Sequence, residues 1–292
     1  MELLVANGIV NGIIVGAIYA LIGLSLTLLY GVLRVVNFAH GEFVIAGCFF
    51  SYVLFEQLGL PPLVAVPLAA LGFFAAGWAL YYLLLPRLAR SDDAESMSFL
   101  LMYGVSIFLS AGMLMVFEAD SRSLSFTFSP ISVALGPVYV STARLVALAI
   151  TVVIVGAMGW YLYRTMPGKA IRAAIMNRDA IQIVGVDVHR LSAFVFALAI
   201  ALAGVTGVLT AMVFPAFSPF SGAEFTTIGF IVIVLGGLGN PVGALLAGVL
   251  YGVTEQLASV FVQQALAPIA GFLILIATIF LRPAGLLGRK AG

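Results

Sequence analysis

Residues 8–33 read GIVNGIIVGAIYALIGLSLTLLYGVL, an apolar run with no charged side chain in it. A helix needs about 20 apolar residues to cross the hydrocarbon core of a bilayer, so this run is long enough to span. It does not read as a cleavable signal peptide. Such a peptide opens with a basic stretch and carries a shorter apolar core, whereas here no Lys or Arg precedes Arg34 and the first charged side chain is Glu2. The run is expected to be a retained spanning helix.

Working outward from it, eight further apolar segments follow, at 38–55, 61–85, 97–117, 143–163, 192–213, 224–238, 241–262 and 265–282. The segment 224–238 is short and 8–33 is long, so about nine crossings are expected, with eight to ten compatible. Composition agrees. The 292 residues are 63% hydrophobic and only 9% charged, with mean hydropathy +1.20, against about 25% charged in a soluble domain. A soluble fold of this size needs a polar coat that so few charges cannot make. The fold class is therefore all-α and polytopic, a single transmembrane domain over 1–292. The net charge of +1 and the lack of a basic block exclude a nucleic-acid binder. Cys48, the only cysteine, excludes an intrachain disulfide and reads as a small packing residue.

Lys and Arg set the orientation. If the first segment runs from outside to inside, then Arg34, Arg87, Arg90, Arg164, Lys169, Arg172, Arg178, Arg190, Arg282, Arg289 and Lys290 fall inside, and only Arg122 and Arg144 outside. This predicts an outside N-terminus, a cytoplasmic C-terminus and an odd number of crossings.

Two loops are long enough for structure of their own. In the outer loop 118–142, the alternating Ser-Phe-Thr-Phe-Ser at 125–129 suggests an extended piece, followed by Pro130, Gly136 and Pro137. It is either an ordered connector or a docking surface. The inner loop 164–191 holds five of the thirteen basic residues. Pro167 and Gly168 are expected to end the preceding helix, and Lys169–Met176 to be helical. Asn177 is placed to cap a second short helix, with Asp179 in its first turn. Gly185 would end that helix and Asp187 cap the next span. Such paired start and stop signals exceed what a plain basic anchor needs.

The sequence Gly236-Gly237-Leu238-Gly239-Asn240-Pro241-Val242-Gly243 interrupts the apolar stretch 224–262. Non-helical backbone at membrane depth requires shielding by protein or a cavity. The break is either a plain turn between two spans or a broken-helix element of the kind that lines transport paths.

Chemistry-bearing residues are few. With one cysteine and two distant histidines, His40 and His189, no metal-site spacing occurs, and no catalytic residue stands out. The phosphate-cradling G-x-x-x-x-G-K-[ST] pattern is missing: Gly168-Lys169 is followed by Ala170, and Tyr163 stands where the first glycine belongs. Any use of ATP must come from another subunit. Intramembrane ionisable groups point to function or to packing. Asn37, His40 and Glu42 lie together in the link between the first two segments, near the inner face. Glu255 sits mid-segment, with no basic residue between Arg190 and Arg282. It should face a cavity, bond a polar neighbour or be protonated. Glu224 reads as a helix-start acid.

Several stretches together resemble one family. Asn37-Phe-Ala-His-Gly-Glu42, preceded by Tyr19-Ala-Leu-Ile-Gly-Leu-Ser-Leu-Thr27 and Tyr30-Gly-Val-Leu-Arg34, is similar to the start of branched-chain amino acid ABC transporter permeases of the LivH type. Gly168-Lys-Ala-Ile-Arg-Ala-Ala174, Asn177-Arg-Asp179, Val184-Gly-Val-Asp187, Gly236-Gly-Leu-Gly-Asn-Pro241 and Leu281-Arg-Pro-Ala-Gly-Leu286 resemble the rest, in the family's order. Ala284 departs from a frequent glutamine. The resemblance implies a permease subunit of a bacterial inner-membrane importer. It would pair with a second homologous permease and be driven by two cytoplasmic ATPase subunits that bind ATP and Mg. A periplasmic binding protein would supply leucine, isoleucine or valine. Relatives in the same importer class carry urea, short amides or aromatic acids, and an ion-driven secondary transporter is the rival class. On this reading the 168–187 element couples to the ATPase as a lever. Arg172, Arg178 and Asp179 would make polar contacts and Ile171 and Ile175 apolar ones, with Gly168, Lys169, Asn177, Gly185 and Asp187 shaping it. Asn37, His40, Glu42 and Glu255 would form a polar network or path.

Overall fold

The computed structural model describes residues 1–88, 93–124, 132–136 and 138–288. The expected extended piece at 125–129, Pro130, Pro137, Arg90, Arg289 and Lys290 lie outside them.

Eleven α-helices follow in chain order: α1 (Glu2–Leu33), α2 (His40–Leu58), α3 (Pro62–Leu88), α4 (Ala94–Phe117), α5 (Thr142–Arg164), α6 (Met166–Met176), α7 (Arg178–Ile183), α8 (Val188–Val213), α9 (Gly222–Gly236), α10 (Pro241–Phe261) and α11 (Ala267–Leu281). Eight are long and apolar enough to cross a membrane, counting α9 with the 3₁₀ turn Pro219–Ser221 before it. The apolar α11 is a shorter ninth. The nine helices coincide with the nine segments marked from the sequence. The described strands are β1 (Ser132–Leu135) and β2 (Val138–Ser141), an antiparallel hairpin with Val133 opposite Val140.

A helix apolar all round is either a buried core helix or a membrane span, and here α1 is both. Its most apolar stretch is 94% buried and that of α8 89%, against 11% for α4. Thus α1 and α8 form the centre, and α3, α4 and α5 the periphery. Small residues set the closest helix pair. A Cβ on Gly12 or Gly16 would overlap the α10 backbone at Val253 and Val249, and one on Gly248 or Gly252 would overlap α1 at Ala20 and Gly16. The two backbones therefore touch over several turns, the close approach that small residues permit.

Contacts sort the connections onto two faces. On one face lie the end of α1, the α6–α7 element, the α9–α10 turn and residues 285–288. Ile175 of α6 touches Gly31 and Gly239, and Gly237 touches Gly288. The α3 end joins them through the hydrogen bond between Tyr81 Oη and His189 Nδ1 (2.9 Å). On the other face Arg122 pairs with Phe217 in an isolated bridge, and Arg144 Nε donates to the Val213 carbonyl at the end of α8.

Candidate functional site

The link between α1 and α2, expected near the inner face, reaches deeper into the bundle. Helix α1 stops at Arg34, whose left-handed backbone (φ 57°) directs its N–H to the Tyr30 carbonyl. The next residues run back into the bundle. His40 Nε2 lies 2.8 Å from Ser25 Oγ, and Ser25 is eight residues, or about 12 Å of helix, from Leu33. Helix α2 thus starts at depth. Val35, Asn37 and Ala39 are buried. Such irregular backbone survives only where protein supplies its hydrogen bonds. Here Val36 N–H donates to Ser98 Oγ (3.4 Å) and Ala39 N–H to Asn37 Oδ1 (3.0 Å). Thr226 of α9 serves both sides of the join: its hydroxyl donates to the Phe38 carbonyl (3.2 Å) and accepts from Gly41 N–H (2.9 Å). The Phe38 ring rests between Phe99 and Phe230, with centroids at 4.6 and 4.8 Å.

The first turn of α2 abuts the first turn of α9. A Cβ on Gly41 would overlap the Gly222 carbonyl, and one on Gly222 would overlap the Glu42 carboxylate. Glu42 Oε1 accepts from Ser106 Oγ of α4 (3.4 Å). Ser25 Oγ donates to the Ile22 carbonyl (2.8 Å), so its lone pair is what His40 Nε2 can meet. Neutral His40 then carries its proton on Nε2 and presents Nδ1 as an acceptor. Asn37 Nδ2, His40 Nδ1 and Glu42 Oε2 are buried and have no hydrogen-bond partner among the described residues. A buried group left without any partner costs about 1–3 kcal/mol, and three such groups gather beside this one helix break.

Glu255 does not join this cluster. Its Oε2 accepts from Tyr19 Oη (2.8 Å). Tyr19 and Ser25, six residues apart, point about 120° away from each other around α1. Tyr251 lies edge-on to Tyr19 at 5.5 Å, with its own buried hydroxyl unpartnered among the described residues. Of the options open for Glu255, bonding to a polar neighbour is realised. Glu224 sits in the first turn of α9, as read.

The 164–191 element forms two short helices, with one boundary shifted. Pro167 and Gly168 do not end α5; they lie in the first turn of α6, capped by Thr165 Oγ1 on Gly168 N–H (3.1 Å). Proline fits there because a first-turn N–H has no intrahelical partner to lose. Gly168 is required by contact: a Cβ would overlap the Tyr161 carbonyl, so glycine lets α6 fold back on α5. Asn177 Oδ1 caps α7 on the N–H groups of Asp179 (3.1 Å) and Ala180 (3.0 Å). Gly185 turns the chain at φ 84°, and Asp187 Oδ1 caps α8 on Arg190 N–H (3.0 Å).

Individual residues fall on different faces of this element. Ile171 is fully buried, and Ile175 is half-buried, wedged between Gly31 and Gly239. Both face the chain's own helices rather than outward. Arg172 Nε donates to the Leu162 carbonyl (3.0 Å), and its guanidinium lies 4.4 Å from the Tyr163 ring centroid. Lys169, Arg178 and Asp179 are exposed. The outward apolar residues include Met166 (79% exposed) at the start of α6 and, further along, Met176 (69%), Ile183 (87%) and Val184 (75%). Sequence reasoning gives Met176, Ile183 and Val184 no contact role, although Met176 follows Ile171 by five residues, which places it on the opposite side of the helix.

The Gly236–Gly243 break is a closed turn. Gly237 and Gly239 take φ 100° and 77°, and Asn240 Oδ1 caps α10 on Gly243 N–H (3.1 Å), with Pro241 at the first helical position. The last described residues fold over it. Leu286 N–H donates to the Leu235 carbonyl (2.8 Å) and Leu287 N–H to that of Gly236 (3.2 Å), filling carbonyls that the end of α9 leaves open. Asn240 Nδ2 donates to the Leu287 carbonyl (2.7 Å). The two glycine-containing motifs near the C-terminus are thus two halves of one knot. Among the described residues no group of His, Cys, Asp and Glu could hold a metal ion.

The family model for the permease component of branched-chain amino acid transport systems matches residues 8–281. The BraD permease protein of a high-affinity branched-chain amino acid transport system in Pseudomonas aeruginosa is 28% identical, over 96% of this chain and 95% of its own. LivH of Salmonella typhimurium is 27% identical over 96% and 94%. LivM of the same organism is 25% identical over 97% of this chain and 71% of its own. No solved structure gives a significant match. A multi-pass helical chain matched along nearly its whole length in this way belongs to the permease-component family of branched-chain amino acid transport systems.

Proposed function

We propose that this chain is one permease subunit of an ATP-driven importer that moves leucine, isoleucine and valine across the bacterial inner membrane. The substrate class follows the relatives, which are named for branched-chain amino acid transport. LivH and LivM of one organism both resemble this chain, which supports a second, homologous permease as its partner.

The observation that carries the ATP-driven part is the α6–α7 element. It puts three large apolar side chains, Met176, Ile183 and Val184, in the open on a face that also presents Lys169 and Arg178. Exposed apolar groups rimmed by charge mark docking surfaces. The excess of Lys and Arg on this face supports a cytoplasmic side for it, where two separate ATPase subunits would bind ATP and Mg. The opposite face, with the β1–β2 hairpin, would meet a periplasmic binding protein.

Closure of the ATPases would push α6. Ile175 would pass that motion to the end of α1 and to the α9–α10 turn. Because the first turn of α9 presses on Gly41 and Glu42, the shift would reach the buried cluster of Asn37, His40 and Glu42. Those side chains have hydrogen-bonding capacity to spare for new partners as the path opens.

The test is uptake in proteoliposomes by this chain purified with its ATPase, second permease and binding protein. Uptake of labelled leucine that needs both ATP and the binding protein is expected. An intact complex inert to leucine would move the substrate to urea, a short amide or an aromatic acid. Uptake by this chain alone without ATP would contradict the proposal in favour of a secondary transporter or channel.

A further inference from the structure

A cavity of ≈ 450 Å³ opens beside the α6–α7 element. Arg172 and Met176 of α6 form one wall, Leu238 and Asn240 of the α9–α10 turn the other, and Leu287 of the C-terminal knot closes one end. Its volume falls within the ~300–1,000 Å³ range of binding sites. Among the described residues Arg172 is the charged residue of the lining, and no carboxylate lines it. The rim is apolar: Met176 is 69%, Leu238 52% and Leu287 43% exposed. Met176 also belongs to the outward apolar set of Met176, Ile183 and Val184, so the proposed docking surface continues into the cavity.

We infer that this cavity is a second socket for the ATPase subunit, receiving an acidic side chain carried on an apolar stem. The inference rests on the reading of the α6–α7 face as the ATPase face. The apolar rim takes the stem, and Arg172 meets the charge. Its orientation is fixed beforehand by the Leu162 carbonyl and the Tyr163 ring, which lowers the ordering cost of the contact. The mechanical consequence goes beyond a single lever. A partner seated here touches the α9–α10 turn and the C-terminal segment directly. It therefore drives α9, which borders Glu42, and α10, which runs along α1, without routing all motion through Ile175.

The experiment uses the full importer complex with a photo-crosslinking amino acid at Leu238 or at Ile183, together with the variants Leu238→Glu and Leu238→Lys. Crosslinks from both positions to the ATPase are expected. Leu238→Glu should weaken ATPase association about tenfold through like-charge contact, while Leu238→Lys should leave it unchanged or strengthen it. Leu238 is half in the open, so neither substitution buries a charge, and the opposite signs separate charge complementarity from damage to the turn. Crosslinking from Ile183 with only lipid or nothing captured at Leu238, or equal weakening by Glu and Lys, would overturn the socket and leave the proposed function standing. No ATPase crosslink from either position would overturn the reading beneath it.

Discussion

Ile175 is the side chain through which α6 bears on the rest of the bundle, and its truncation gives the sharpest prediction. It fills the space between Gly31 and Gly239, so close that a Cβ on Gly31 would come within 2.9 Å of Ile175 Cγ1. Truncating a fully buried isoleucine to alanine costs about 2–5 kcal/mol. Ile175 is half-buried, so Ile175→Ala should cost about half of that, roughly 1–2.5 kcal/mol. The other anchors of α6 remain: Ile171 stays buried and the Thr165 cap is untouched. The helix should hold its place while losing its bearing on α1 and the α9–α10 turn. If that whole contact energy links the ATPases to the bundle, uptake per ATP hydrolysed falls by up to about 5–70-fold. The assay is the ratio of labelled leucine uptake to phosphate release in proteoliposomes, beside thermal unfolding of the purified complex. A wild-type ratio in Ile175→Ala, at the expected small loss of stability, would refute the transmission route.

Three further outcomes follow from the same contacts. Gly41→Ala sets a methyl against two backbone groups, the Gly222 carbonyl and the Thr226 N–H, and should cost at least about 1–3 kcal/mol, read as a drop in Tm or failure to purify. Tyr19→Phe strips the hydrogen bond from buried Glu255 and should cost about 1.5–3 kcal/mol. Glu255→Gln keeps an acceptor for Tyr19 and should cost less, and the double variant should cost less than the sum by denaturant or thermal unfolding. Asn240→Ala removes the α10 cap and the bond to Leu287 together, about 1–2 kcal/mol, with faster amide hydrogen exchange at Leu286 and Gly243 than at α8.

The sequence made the membrane spans legible because the bilayer imposes a length and an apolar composition on each one separately. Caps at Asn177 and Asp187 were equally legible, since a cap is a local bond between a side chain and an N–H three residues on. Pro167 and Gly168 misled for an instructive reason. Proline breaks a helix interior but suits a first turn, and only Thr165 as cap distinguishes the two. The return of residues 34–39 into the bundle could not be read, because it depends on Ser98 and Thr226, about 60 and 190 residues away. The apolar contacts expected of Ile171 and Ile175 are made with the chain's own helices, because sequence shows that a helix has an apolar side but not which neighbour covers it. That Glu255 bonds Tyr19 while Asn37, His40 and Glu42 gather on another side of α1 was likewise not legible, because it depends on how α10 packs along α1.

The central claim is that the outward side chains of α6 and α7 receive a separate ATPase. It is tested most directly by the amount of ATPase subunit that co-purifies with this chain when Ile183 and Val184 are both changed to Asp. These residues are 87% and 75% exposed, so the change should leave the chain's own Tm unaltered. Loss of the ATPase at unaltered Tm is the predicted result. Undiminished co-purification would contradict the account.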